Sequence, residues 1–378
     1  MKEPKMHRVI NMKVLNVIWG FTLGGGIDKC YLTYARLGEA DDSIQMKNVC
    51  INVLSRQSHI EPLKDIGVTF IDIKSPLDIS WVWKLKACIK EYKPDVFFSH
   101  GFNGAIMAFV EKLVGNWGMK IVLTYHGSYN APTKIKQLVE PVYNGLSHFI
   151  YRHIALVTIS VAEYSRRFLM NKGVPADKVV TVHNGIVDLA NVRGVDITQD
   201  GTIIVTASRI DKIKGLAYML ESIAALKAKG LKFHYYMIGE GPELENLKGI
   251  CRQKNLQDCV SFMGFQNNVP SWLQAADIFV IPSIYENHSI AILEAMRAGK
   301  AIVATDVGGN GESVRDMKEG LLIPSADSEA LANALETMIC NQELRESLAR
   351  NARVRFEAEF TEEAMMHNII KVLKHETD

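Results

Sequence analysis

The sequence predicts an α/β protein made of two successive parallel, doubly wound halves. Strand-like apolar runs alternate with helix-period segments along nearly the whole chain. The alternation breaks once, at 188–201, where Asp, Asn, Arg, Gly, Thr and Gln intermingle without a sustained period and read as a linker. The 378 residues also exceed what one hydrophobic core usually organises, so two domains are expected.

The first strand, 12–19, runs into Gly20-Phe21-Thr22-Leu23-Gly24-Gly25-Gly26, and a helical pattern through Ile27, Tyr31, Leu32 and Leu37 follows. A strand, a glycine-rich turn and a helix let backbone amides approach a phosphate closely. The same glycines would also serve as a tight connection with no ligand. The run is not GxGxxG and no ribose-binding acid closes the second strand, which argues against a dinucleotide-dependent dehydrogenase. Further strands are expected at 47–53, 68–72, 96–99, 120–125, 156–159 and 179–182, with helices near 80–92, 104–115, 134–151 and 161–171.

Ligands of such sheets bind beyond the carboxyl ends of the strands. Three polar clusters stand there: Ser99-His100-Gly101, Thr124-Tyr125-His126-Gly127 and His183-Asn184-Gly185. Two readings of His126 are open. It either satisfies backbone carbonyls after a buried strand, or it turns a titratable group toward a ligand. Asn184-Gly185 is equally an ordinary turn signal.

The second half repeats the pattern, with strands at 203–207, 233–238, 260–263, 278–281, 301–304 and 320–323. Its helices fall near 215–229, 242–254, 268–275, 289–298, 328–340 and 343–356, and an amphipathic helix is expected within 360–375. Ser208-Arg209 follows the first of these strands and Lys214-Gly215 opens the next helix, so a guanidinium and an ammonium straddle one strand-to-helix turn. That pair suits the clustered oxygens of a diphosphate; an exposed basic loop is the plain alternative. Gly239-Glu240-Gly241-Pro242 closes the second strand, and Phe262-Met263-Gly264-Phe265 offers apolar surface suited to a nucleobase. The fourth strand ends in Pro282-Ser283-Ile284-Tyr285-Glu286-Asn287-His288-Ser289-Ile290 before a helix that contains Glu294. Ser289 is positioned to cap that helix, whose first turn forms an anion site at a strand end.

Composition narrows the class. At 48% hydrophobic and 22% charged residues the chain is ordinary globular protein, and no apolar run of membrane-spanning length occurs. The start, through His7, lacks the apolar core of a secretory signal. Six cysteines without metal-like spacing, mostly within apolar runs, point to a reducing cytoplasm. The net charge of +1 is uneven. Residues 1–187 hold 23 Lys+Arg and 15 Asp+Glu, a net +8, and the remainder hold 20 and 27, a net −7. The basic half carries Lys84, Lys86, Lys90 and Lys93 with Trp81 and Trp83, a helix suited to lie on an anionic membrane and equally to an ordinary solvated surface.

Taken together, Gly24-Gly25-Gly26, Tyr125-His126-Gly127, His183-Asn184-Gly185, Ser208-Arg209 with Lys214-Gly215, Gly239-Glu240-Gly241-Pro242 and Glu286-x7-Glu294 resemble the retaining glycosyltransferases of family 4. Gly299 to Thr305, Gly308-Gly309 and Glu312 extend the match, which is strongest over 202–325. The resemblance implies the GT-B architecture, two Rossmann-like domains facing each other across a deep crevice. It would divide the chain into an acceptor-binding domain of 1–187 plus 360–378 and a nucleotide-sugar-binding domain of 188–359.

Residue by residue, it implies that Glu294 binds the nucleotide ribose and Glu286 the donor sugar. Arg209 and Lys214 would hold the diphosphate, aided by first-turn amides near Ser289 and Ile290. Gly25, within Gly24–Gly26, would face the distal phosphate, and His126 the donor sugar. Asn184, Gly239 and Met263 complete the expected binding set. Where family members often have Gly-Phe-Gly-Leu, this chain has Asn287-His288-Ser289-Ile290, which puts donor identity in question.

The expected activity is transfer of a hexosyl or N-acetylhexosaminyl unit from a nucleotide diphosphate sugar, UDP-linked first and GDP-mannose second. The expected acceptor is a saccharide, lipid-linked, in bacterial polysaccharide or glycoconjugate biosynthesis. Neither cofactor nor metal is expected, since no Asp-x-Asp pair ends a strand. Peripheral membrane contact is expected, and no nucleic-acid partner. Two alternatives stay open: a sugar-nucleotide epimerase, which would act on donor alone, and a non-catalytic nucleotide-sugar-binding subunit, which would never turn over.

Overall fold

Two parallel sheets carry the fold of the computed structural model, which describes residues 12–21, 26–55, 61–115, 118–127 and 134–375. The first contains β1 (Met12–Trp19), β2 (Ile44–Val53), β3 (Thr69–Ile73), β4 (Val96–His100), β5 (Lys120–Tyr125), β6 (Val157–Ser160) and β7 (Val179–Thr181). Their order is β3-β2-β1-β4-β5-β6-β7, so the winding reverses between β1 and β4. The connecting helices are α1 (Gly26–Tyr34), α2 (Leu37–Ala40), α3 (Glu61–Asp65), α4 (Ser80–Tyr92), α5 (Gly101–Gly115), α6 (Lys134–His153) and α7 (Glu163–Asn171). Residues such as Leu15, Val17, Phe97, Ile121 and Leu123 are fully or almost fully buried, as expected for strands covered by helices on both faces.

The second sheet contains β8 (Thr202–Ala207), β9 (Phe233–Ile238), β10 (Val260–Gly264), β11 (Ile278–Ile281), β12 (Ala301–Thr305) and β13 (Gly320–Ile323). Its order, β10-β9-β8-β11-β12-β13, reverses between β8 and β11. The helices here are α8 (Leu216–Ala228), α9 (Leu244–Gln253), α10 (Val269–Ala275), α11 (Ile290–Arg297), α12 (Asn310–Ser313), α13 (Ser328–Cys340), α14 (Gln342–Glu359) and α15 (Glu362–Lys374). Ile204, Met219, Leu220, Tyr235, Ile278, Val303 and Leu335 form its central packing.

Contacts divide the chain into one unit of Met1–Val182 with Met365–Asp378 and another of His183–Ala364. His183 and Asn184 belong with the second unit because both are bonded within it, to Glu312 and to the His288 carbonyl. The end of α15 belongs with the first, where Lys374 Nζ lies 2.6 Å from Asp41 Oδ2. That ammonium and the Ser43 hydroxyl hold the Asp41 carboxyl down to about 2.

The two tryptophans of α4 part company. Trp81 is buried, its ring edge-on to Trp19 with centroids 5.7 Å apart, whereas Trp83 is 62% exposed beneath the Lys86 ammonium. The helical period sends residues two apart to different faces, so only Trp83 belongs to the surface expected of this helix. Among the described residues no helix is long and apolar enough to cross a membrane.

Candidate active site

In the second unit the polar positions gather at the carboxyl ends of β8 and β11, the switch point of the sheet. Backbone bonds assemble the loops there. Ile284 N donates to Ile213 O at 2.7 Å, which ties the turn after β8 to the loop after β11. Gly215 seals the same junction. Its φ is +64°, and a Cβ there would sit 2.0 Å from Pro282 O. Only glycine admits both the left-handed backbone and that approach.

Lys214 is thereby delivered to Glu286. Its Nζ lies 2.6 Å from Glu286 Oε1, with 18% of the lysine and 10% of the glutamate side chain exposed. The hydroxyl of buried Ser283 donates to the same carboxylate oxygen at 2.8 Å. The loop is braced from β12: Thr305 Oγ1 donates to Ser283 O at 2.6 Å, and Gly309 N to Asn287 O at 2.7 Å. Gly308, at φ +56°, lies so close to the Glu286 carbonyl that a Cβ would stand 1.8 Å from its oxygen. Glu286 is therefore a clamped carboxylate, with one oxygen neutralised by an ammonium and a hydroxyl.

Arg209 does not join this cluster. Its side chain is 70% exposed and its Nε lies 3.6 Å from Asp211 Oδ2. Gly239, the residue after β9, donates its N–H to Gly264 O at 2.8 Å beside Met263 in β10, so these two expected positions are neighbours. Ser289 occupies the cap position of α11 in extended backbone, but its side chain makes no capping bond. A serine hydroxyl caps only when its rotamer points at the second or third amide, a choice that sequence does not settle. Glu294 lies in α11, one turn into the helix and partly buried.

The run that departs from the common family pattern is packed from below. His288 is buried; its Nε2 lies 3.1 Å from Ser313 Oγ, and its ring stacks on His183 with centroids 5.0 Å apart. Asn184 Nδ2 donates to the His288 carbonyl at 3.3 Å, and His183 Nε2 lies 2.7 Å from Glu312 Oε2. Burial, reinforced by His183, pushes His288 down to about 3, so it is neutral at pH 7. Asn287 is buried beside it.

In the first unit, His126 follows β5, and its Nε2 lies 3.0 Å from Thr124 Oγ1. Burial pushes this ring down to about 4. Gly26 begins α1, while Gly24 and Gly25 lie outside the described residues. Sequence reasoning gave no separate role to Ser283, Ser313 or Thr124. The first was legible only as part of a Pro-Ser strand end and Thr124 only as a member of the polar cluster around His126, while Ser313 carried no local signal. Among the described residues no cluster of three His, Cys, Asp or Glu side chains is arranged to hold a metal ion.

Known proteins share this organisation. Residues 190–355 match the family described as glycosyl transferases group 1, and residues 56–188 match glycosyltransferase family 4. The putative colanic acid biosynthesis glycosyltransferase WcaL of Salmonella typhimurium is 27% identical over 291 residues, 74% of this chain and 70% of that protein. The amylovoran biosynthesis glycosyltransferase AmsK of Erwinia amylovora is 27% identical over 295 residues, 75% and 71% of the two chains. Among solved structures, Anabaena HepE in complex with UDP superposes with a TM-score of 0.81 at 18% identity, covering 96% of this chain and all of that one. Sucrose-phosphate synthase of Thermosynechococcus elongatus does so at 0.79 and 20%, covering 96% and 98%. These likenesses establish a GT-B fold of two Rossmann-like domains, and with the family matches they show that the chain belongs to glycosyltransferase family 4.

Proposed function

We propose that the protein is a retaining, metal-independent glycosyltransferase that moves a hexosyl or N-acetylhexosaminyl unit from a nucleotide diphosphate sugar to a saccharide acceptor in polysaccharide biosynthesis. The observation that carries this reading is the Lys214–Glu286 pair at the switch point, beside a helix start whose cap side chain makes no capping bond. UDP is the favoured nucleotide, in keeping with the UDP and UDP-glucose complexes of HepE, and GDP is second. The polysaccharide setting follows the names of WcaL and AmsK.

In this reading the bond between the anomeric carbon and the distal phosphate oxygen breaks, and the acceptor oxygen bonds to the same face of the sugar. The acceptor proton passes to the departing phosphate. Negative charge grows on the diphosphate, where Lys214, Arg209 and the first amides of α11 would stabilise it by preorganised electrostatics. Lys214, joined by Arg209 once it swings in from Asp211, would supply the charge that a divalent metal would otherwise bring. Glu294 would accept from the ribose hydroxyls. Glu286 acts as a positioner of the sugar: a carboxylate oxygen that already accepts from Lys214 and Ser283 is a weakened nucleophile. His126 would meet a donor hydroxyl, and Asn287 with His288 would shape the pocket that selects the sugar.

The acceptor is lipid-linked in this proposal, and the first unit touches an anionic membrane. Support comes from Leu77, 90% exposed, Ile79, 72% exposed, and Trp83, flanked by Lys74, Lys84 and Lys86. Exposed apolar side chains interspersed with lysines along the chain suit the interface of an anionic bilayer. Sedimentation with anionic vesicles should fall when Leu77 and Trp83 become Ser; negligible binding by the unaltered protein at low salt would remove this part.

The decisive experiment is a thermal-shift screen of UDP, GDP, ADP and their sugars, followed by transfer assays on Lys214→Ala and Glu294→Ala. A ligand at 100 times its dissociation constant adds about 2.7 kcal/mol, a readable shift. Both variants should fold and lose most transfer. Turnover like that of the unaltered protein in both would refute the site, and donor epimerised without acceptor would replace transferase by epimerase.

A further inference from the structure

A chain of hydrogen bonds in the first unit has its polarity set at one end. It starts at the backbone carbonyl of Ala35, which can only accept. Asn48 Nδ2 donates to that carbonyl at 2.9 Å. The Asn48 amide is thereby oriented, and its Oδ1 accepts from Asn16 Nδ2 at 2.9 Å. Asn16 turns its own Oδ1 to His100 Nε2 at 2.6 Å, so that nitrogen must carry a proton.

The next link follows from the charge of His100. Burial drives it well below the ordinary histidine range, so the ring is neutral and its Nδ1 holds a lone pair. Thr124 Oγ1, 3.0 Å away, must give its single proton to that lone pair. Only oxygen lone pairs then remain for His126 Nε2, also at 3.0 Å, and this nitrogen must donate. Asn16, Asn48, His100 and Thr124 are all buried, so no water competes to reverse a link.

We infer that this relay locks His126 in the Nε2–H tautomer and leaves its Nδ1 as a hydrogen-bond acceptor for a hydroxyl-bearing ligand beyond the carboxyl end of β5. Asn48, Asn16, His100 and Thr124 are positioning residues for that acceptor. The relay links β2, β1, β4 and β5, so it crosses the place where the winding of the first sheet reverses and where ligands of such sheets bind. Among the described residues none bonds His126 Nδ1. Use of this acceptor on a saccharide hydroxyl rests on the function proposed above; the tautomer itself does not.

The test is nitrogen NMR of the histidine rings in the full chain at neutral pH without substrate, so its outcome is independent of whether sugar is transferred. His126 should show a single Nε2–H pattern, with a ring proton that exchanges slowly enough to be seen. Thr124→Val should lose that proton signal and average the two tautomers, and Thr124→Ser, which keeps the hydroxyl, should restore both features. An Nδ1–H pattern in the unaltered protein would overturn the inference, as would the same protected proton persisting in Thr124→Val.

Discussion

The Lys214–Glu286 pair can be weighed by a double-mutant cycle. Two unit charges about 4 Å apart attract by roughly 4 kcal/mol at the effective dielectric near a protein surface. Removing both ions from water cancels much of that. Hydrogen bonds to charged groups retain a net ~1.5–3 kcal/mol, and the 2.6 Å contact with both side chains mostly covered belongs in this range. Lys214→Met leaves the Glu286 carboxylate, among the described residues, with the Ser283 hydroxyl as its donor and should cost about 2–3 kcal/mol. Glu286→Gln keeps the shape and should cost about 1–2 kcal/mol. Together they should cost little more than the worse single change, a coupling of about 1–1.5 kcal/mol. Urea unfolding, with hydrogen exchange followed on the peptide that spans β11 and α11, reads this in the second unit. Single losses that add to the double within about 0.5 kcal/mol would show two independent residues and refute the clamp.

Gly308→Ala should displace the Glu286 carbonyl, because the new Cβ would stand 1.8 Å from it, and left-handed backbone costs an alanine a further ~1–2 kcal/mol; an unchanged melting temperature would contradict this. Stability should have an acid limb from His288, whose folded value of about 3 lies below the unfolded ~6.5. Folding favours its neutral ring, so the contribution is complete above ~6.5 and falls as pH drops toward 3, by about 1.4 kcal/mol per unit. His183, Glu312 and Arg355 act on the same ring, and His288→Gln should flatten the limb; an unaltered slope would mean that His288 does not titrate there. Transfer should survive exhaustive EDTA treatment, and complete loss restored by magnesium or manganese would refute metal independence.

The alternation of apolar runs and helical periods was legible in the residues, and with it the class of fold. Every strand expected in both halves has its counterpart, from Met12–Trp19 to Gly320–Ile323, because parallel strands covered by helices read as near-continuous apolar runs even where a polar residue such as Asn16 interrupts them. Short pieces such as Leu37–Ala40 and Asn310–Ser313 were not legible, since four residues carry too little of a 3.6-residue period. Glycines, lysine and the two glutamates were legible as residue types at strand ends. Which of them meet depended on the folded chain. Lys214 and Glu286 are 72 positions apart, and loop bonds to Pro282–Ile284 bring them together, while Arg209 turns outward to Asp211. The relay from Ala35 to His126 was hidden for the same reason. A hydrogen bond has a direction and an angle, and neither exists until distant strands are placed side by side.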